Sequence, residues 1–157
     1  MKMAGIQVAL TMMFLPLICG SCVLTPEKNI DSVYVMVYDY DNNEVMNVSI
    51  AVDGVEVGVT DIYGRLIFTP DEEKECVVRA EKEGYETVES KSCIRAGQLI
   101  YFRLGSGAYY AKTAELLLDA DEPARALEMI DKALEIQERK DWRFLRGVIL
   151  GRTDDEE

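Results

Sequence analysis

The chain has 157 residues, 48% hydrophobic and 29% charged, enough for one core-forming domain plus a small appendage. Seventeen Lys and Arg against 29 Asp and Glu give a formal charge of −12, which argues against nucleic acid or an anionic lipid surface as the main partner. Histidine is absent, and with it Ser-His-Asp and Cys-His catalysis and every His-ligated metal site.

The N-terminus opens with Lys2, an uncharged apolar run from Met3 to Ile18, and small residues at Gly20 and Ser21. A charged, then apolar, then small-residue order is that of a secretory signal over residues 1–21. The run is shorter than the ~20 residues that span a bilayer comfortably. Gly20-Ser21-Cys22 resembles a bacterial lipobox, in which the cysteine is acylated and becomes the mature N-terminus. Cys19 stands where that motif usually has leucine, as in the looser versions of spirochaetes and the Bacteroides group; bulky Ile18 makes Cys19 the poorer acceptor. The resemblance implies lipidation at Cys22, a lipid bilayer as partner, and a place in a bacterial envelope on the periplasmic or outer-membrane face. Several acyl chains, each contributing ~0.8 kcal/mol per buried methylene, hold a soluble domain at a membrane persistently.

Residues 22–31 read as a short polar tether. From residue 32 to 104 short β-type runs alternate with turn signals. Val33, Val35 and Val37 alternate with Tyr34, Met36 and Tyr38, and Val48, Ile50 and Val52 do the same before Asp53-Gly54, a hairpin signal. Val55 to Val59, Leu66 to Phe68, Cys76 to Ala80, Tyr85 to Val88 and Leu99 to Leu104 complete seven predicted strands, an antiparallel β-sandwich by count and spacing. Asp53-Gly54-Val55-Glu56-Val57-Gly58, Thr60-Asp61 with Gly64, and Lys82-Glu83-Gly84-Tyr85 resemble the turn elements of the carboxypeptidase regulatory-like and PEGA families. That resemblance implies a transthyretin-like fold and no activity of its own.

Past Gly105-Ser106-Gly107 the hydrophobic period changes from two to 3.6. Helices are predicted over Ala108 to Leu118, from Pro123 to about Glu138 with Asp121 as cap, and over Trp142 to Leu150 with a stop at Gly151. Tyr110, Ala114, Leu117, Ala126, Ile130 and Ala133 resemble the large–small pattern of tetratricopeptide repeats, with Gly147 at the small position of a second repeat. The fold class is therefore mainly β plus α, with a tetratricopeptide-like helical hairpin in residues 108–157. One and a half repeats do not stand alone, so these helices either pack on the β-region or meet a second copy.

Cys76 and Cys93 fall in predicted strands of an exported chain, where an even pair reads as a disulfide worth about 3 kcal/mol or as two buried thiols. Asp39, Asp41, Asn43 and Glu44 have the alternation of a calcium loop without its sixth-position glycine or distal Glu, and read as a solvated turn. No phosphate loop, zinc cysteine cluster or nucleophile elbow occurs, and no cofactor is expected. The expected role is a non-enzymatic interaction or scaffold module for an envelope protein. Tyr109, Tyr110 and Trp142 are its contacts or, equally, core. The alternative is a cell-wall or carbohydrate binding module stacking sugars on Tyr34, Tyr38, Tyr40 and Tyr63. A hydrolase built on an acidic pair is the weakest of the three classes.

Overall fold

A computed structural model describes residues 31–154. The signal segment, both Cys19 and Cys22, and most of the tether lie outside the described residues. Seven strands run in chain order as β1 (Val33–Asp39), β2 (Ser49–Val52), β3 (Val55–Val59), β4 (Arg65–Phe68), β5 (Lys74–Glu81), β6 (Val88–Ile94) and β7 (Leu99–Leu104). Three helices follow: α1 (Gly107–Asp119), α2 (Pro123–Ile136) and α3 (Lys140–Asp154). The chain is thus a β plus α protein.

The strands form a three-stranded sheet in the order β4-β1-β7 and a four-stranded sheet in the order β3-β2-β5-β6. The all-antiparallel expectation fails at one pairing, because β1 and β7 run parallel. A parallel pair needs a long crossover, and here the whole excursion from β2 to β6 supplies it. Alternate residues of both sheets enter one buried cluster: Val33, Val35 and Val37 from β1, Ile50 from β2, Val78 and Ala80 from β5, and Ile100, Phe102 and Leu104 from β7. The predicted strand at Tyr85 to Val88 is displaced. The strand is Val88–Ile94, and Tyr85 makes only an isolated bridge to Ser106.

The turn motifs have definite jobs. Asp53 (φ 49°) and Gly54 (φ 82°) are both left-handed, the two-residue hairpin geometry that matches strand twist. Thr60, almost fully buried, donates from Oγ1 to the Val45 carbonyl and accepts from the Val48 N–H, closing the loop before β2. The Asp61 carboxylate accepts the N–H groups of Tyr63 and Arg65 and pairs with the Arg65 guanidinium at 3.0 Å.

These partners, the Arg65 N–H foremost, hold the Asp61 carboxyl below its ordinary 3.8. The resulting stabilisation is fully present above that ordinary value and disappears as pH falls through the depressed one. Acid unfolding followed by circular dichroism should therefore be less steep in Asp61→Asn than in the wild type. Parallel acid limbs would show that Asp61 titrates normally.

In the helices, Ser106 caps α1 by accepting the Tyr109 N–H. The predicted Asp121 cap is not formed: Asp121 turns left-handed (φ 61°), Glu122 takes the N-cap position, and Pro123 opens α2. The third helix passes through Gly151 to Asp154 rather than stopping there. A second buried cluster joins Tyr110, Ala114 and Leu118 of α1, Ala126, Ile130 and Ala133 of α2, and Trp142 and Ile149 of α3.

Candidate functional site

The seam between the β-region and the helices is built around Glu86. Its Oε1 accepts the Gly105 N–H at 2.7 Å, its Oε2 accepts the Tyr110 hydroxyl at 2.8 Å, and its own N–H donates to the Gly105 carbonyl at 2.8 Å. Gly105 is required here, because a Cβ on it would lie 2.4 Å from the Tyr110 ring. The Gly107 N–H reaches the Gly84 carbonyl at 3.0 Å, so the start of α1 is held to the turn before Tyr85. Tyr40 packs against Tyr109 and Tyr110 with ring centroids 5.2 and 6.4 Å away. Burial first, and the Glu86 carboxylate second, push the Tyr40 and Tyr110 phenols above their ordinary 10.0. Tyrosines whose ionisation is suppressed in this way act as neutral hydrogen-bond partners, which suits a rigid joint.

The three aromatic contacts expected at an interaction surface divide. Tyr110 and Trp142 are buried, and Tyr109 is half-buried in the seam, so as partner contacts Tyr110 and Trp142 are corrected to core. The Trp142 ring lies over Gly107, where a Cβ would come within 2.9 Å of it. Arg146 of α3 bonds Asp131 of α2 at 2.6 Å, and Arg152 donates to the Leu118 carbonyl at the end of α1. These contacts at both ends fix α3 on the first two helices, running in the same direction as α1.

Sequence reasoning missed the opposite face of α3. Phe144 is 76% exposed, Val148 is exposed beside it one turn on, and Gly147 lies between them with open space around its Cβ position. Gly147 is therefore not at a helix–helix contact. The segment Trp142 to Leu150 carries two apolar stripes, and periodicity alone does not say which one faces inward.

Cys76 and Cys93 do not form a disulfide. Glu75 pairs with Cys93 and Cys76 with Ser92, so the one-residue offset sends Cys76 into the core and Cys93 to the outer face. Burial pushes the Cys76 thiol up, whereas Cys93 is exposed. Brief iodoacetamide treatment of the native protein should alkylate Cys93 and spare Cys76 by peptide mass spectrometry. Equal modification, or a peptide linking the two, would contradict this register.

The four tyrosines expected to stack on sugar do not make one platform. Tyr34 and Tyr38 share the outer face of β1, Tyr40 belongs to the seam, and Tyr63 lies beneath the Arg65 guanidinium at 4.6 Å. The acidic loop after β1 is a self-satisfied turn, with the Asp39 carboxylate accepting the N–H groups of Asp41 and Asn43. Among the described residues no three His, Cys, Asp or Glu side chains are grouped to hold a metal ion. A groove of about 260 Å³ lies at the hairpin end of the sheets, lined by Val52, Val57, Phe68, Pro70 and Ile94 with Lys74 and Asp53 at its polar side.

No family model matches the chain. No curated protein matches it either. Among solved structures it is similar to the Bacillus anthracis TIE protein at 11% identity and a TM-score of 0.39, a match covering 48% of this chain and 16% of that one. The chain thus spans about a sixth of that protein's length, and a likeness this low carries no argument about fold or function.

Proposed function

We propose that the protein is a membrane-anchored lipoprotein of a bacterial envelope that acts as a non-enzymatic protein-interaction module. In this reading Cys22 carries the acyl anchor and residues up to 31 form the tether. Residues 32–104 are a transthyretin-like β-sandwich of the carboxypeptidase regulatory-like or PEGA kind, and the helices after residue 107 are tetratricopeptide-like. Two sheets feeding one core, and helices that approach at Ala114, Ala126 and Ala133, support the two folds. The function rests on one observation: α3 is locked in place on one side while Phe144 and Val148 remain uncovered on the other. A helical stack continues by laying another helix on such a stripe, supplied by a partner protein or a second copy.

A photo-cross-linking residue at position 144, activated in living cells, should give a discrete adduct. Glu at position 148 in the same chain should abolish it while changing stability by less than about 0.5 kcal/mol, since exposed substitutions rarely cost more. An adduct insensitive to Val148→Glu would remove α3 as the docking element. Intact-mass measurement of the membrane-extracted protein tests the anchor separately: acylation at Cys22, lost in Cys22→Ala, is the expected result.

A further inference from the structure

The outer face of the β4-β1-β7 sheet is unlike the rest of this acidic chain. Its outward positions are Arg65 and Ile67 on β4, Tyr34, Met36 and Tyr38 on β1, and Leu99, Tyr101 and Arg103 on β7. Six are apolar or aromatic, two are arginines, and none is a carboxylate. The other sheet differs. Its outer face mixes Glu75, Arg79, Glu81, Glu89 and Lys91, as a solvated surface does. Ile67, Leu99 and Tyr101 are 57%, 58% and 51% exposed, and Tyr38 and Tyr101 stack at 5.4 Å.

The register orders this face in rows. Ile67, Tyr34 and Leu99 lie side by side in the first row, Arg65, Met36 and Tyr101 in the second, and Tyr38 with Arg103 in the third. The first row carries no charge and sits where the chain enters the fold, beside the Gly97–Ser32 and Tyr34–Gln98 backbone bonds. About ten residues separate β1 from Cys22, and fully extended they reach at most ~35 Å. An uncharged row nearest the tether, aromatic residues in every row and arginines only in the rows behind the first match the side-chain order of a membrane–water interface.

We propose that this sheet face docks on the surface of the bilayer that holds the anchor, with Ile67, Tyr34 and Leu99 entering the head-group boundary and Arg103 at phosphate level, while Arg65 stays paired with Asp61. The docking rests on the lipoprotein reading for its proximity: once acylation confines the domain, a face too weak to bind lipid alone is held against it at high effective concentration. The helices leave from the far end of β7, after Leu104, so α1 begins at the end of the sheet opposite the row of Ile67, Tyr34 and Leu99.

The test is hydroxyl-radical footprinting of the full acylated protein in phosphatidylcholine vesicles, with unacylated Cys22→Ala protein in solution as reference. Labelling of Ile67, Leu99 and Tyr101 should fall about five-fold on vesicles, as burial in the interface excludes water, while Phe144 and Leu116 stay unchanged. The acylated double variant Leu99→Glu/Tyr101→Glu should lose the protection at Ile67; both side chains point outward, and circular dichroism verifies its fold. A confirmed acyl mass with these residues fully labelled overturns the docking and leaves the anchor intact. An unacylated mass overturns the lipoprotein reading itself. Protection that persists in soluble Cys22→Ala protein and grows with its concentration assigns the face to a second copy, and protection that needs added cell-wall glycan assigns it to sugar; either result overturns the lipid assignment.

Discussion

Replacing Tyr110 by alanine is expected to destabilise the protein by about 3–5 kcal/mol, the usual cost of removing a buried aromatic side chain. Tyr110 is only 5% exposed, and its ring occupies the space that Gly105 leaves open at the end of β7. Its loss opens a cavity between Tyr40, Tyr109 and Gly105 and removes the hydroxyl partner of Glu86. Tyr110→Phe isolates the second effect. It keeps the packing and deletes one hydrogen bond to a carboxylate, about 1.5–3 kcal/mol. The two variants also differ from wild type in alkali. Burial holds the Tyr110 phenol above its ordinary 10.0, so its stabilisation is complete below that value and declines as pH rises beyond it. Urea unfolding at neutral pH and just above pH 10 should show a smaller alkaline loss in Tyr110→Phe. A Phe variant as stable as wild type, with an unchanged alkaline limb, would show that Glu86 does not couple the helices to the sheets.

How much of this was legible in the residues depended on how local the cause was. Asp53-Gly54, Thr60-Asp61 and Gly64 announce turns because the chemistry of a turn is contained within a few residues. β6 was misplaced because its inward positions include Ser90 and Ser92, so the apolar alternation that marks a strand is missing. The parallel partnership of β1 and β7 and the opposite facing of Cys76 and Cys93 are register facts, set by pairings between distant segments. Alternation around Tyr34, Met36 and Tyr38 reveals two faces. Only the structure shows that the tyrosine face stays open while the valines enter the core. The same ambiguity hid the exposed stripe on α3: Trp142 and Phe144 are both large and aromatic, and Gly107 decides between them by making room for the first.

Gly64→Ala is expected to cost about 3 kcal/mol, although it adds a single methyl group. The backbone at Gly64 is left-handed (φ 68°), where an L residue is strained by roughly 1–2 kcal/mol before any contact is considered. The added Cβ would then lie 2.4 Å from the Val37 carbonyl oxygen and 3.2 Å from the Val45 N–H nitrogen. Neither atom is free to move away. The Val37 carbonyl accepts the Val45 N–H at 3.0 Å, and the Val37 N–H donates to the Gly64 carbonyl at 2.8 Å, so the crowded carbonyl belongs to the central strand of the three-stranded sheet and the crowded N–H is bonded to it. Relief requires the turn to separate from β1, which breaks that pairing and disturbs the Val45 carbonyl that Thr60 holds through its hydroxyl. Thr60→Val removes that hydroxyl at nearly constant volume and should cost about 2 kcal/mol by stranding the Val48 N–H and the Val45 carbonyl. Because both changes strike the same strand junction, the double variant should lose less than the sum of the two. Urea denaturation of the four proteins measures this directly. Strict additivity would mean that the threonine and the glycine stabilise separate elements, and that the motif shared by them is a coincidence of spacing.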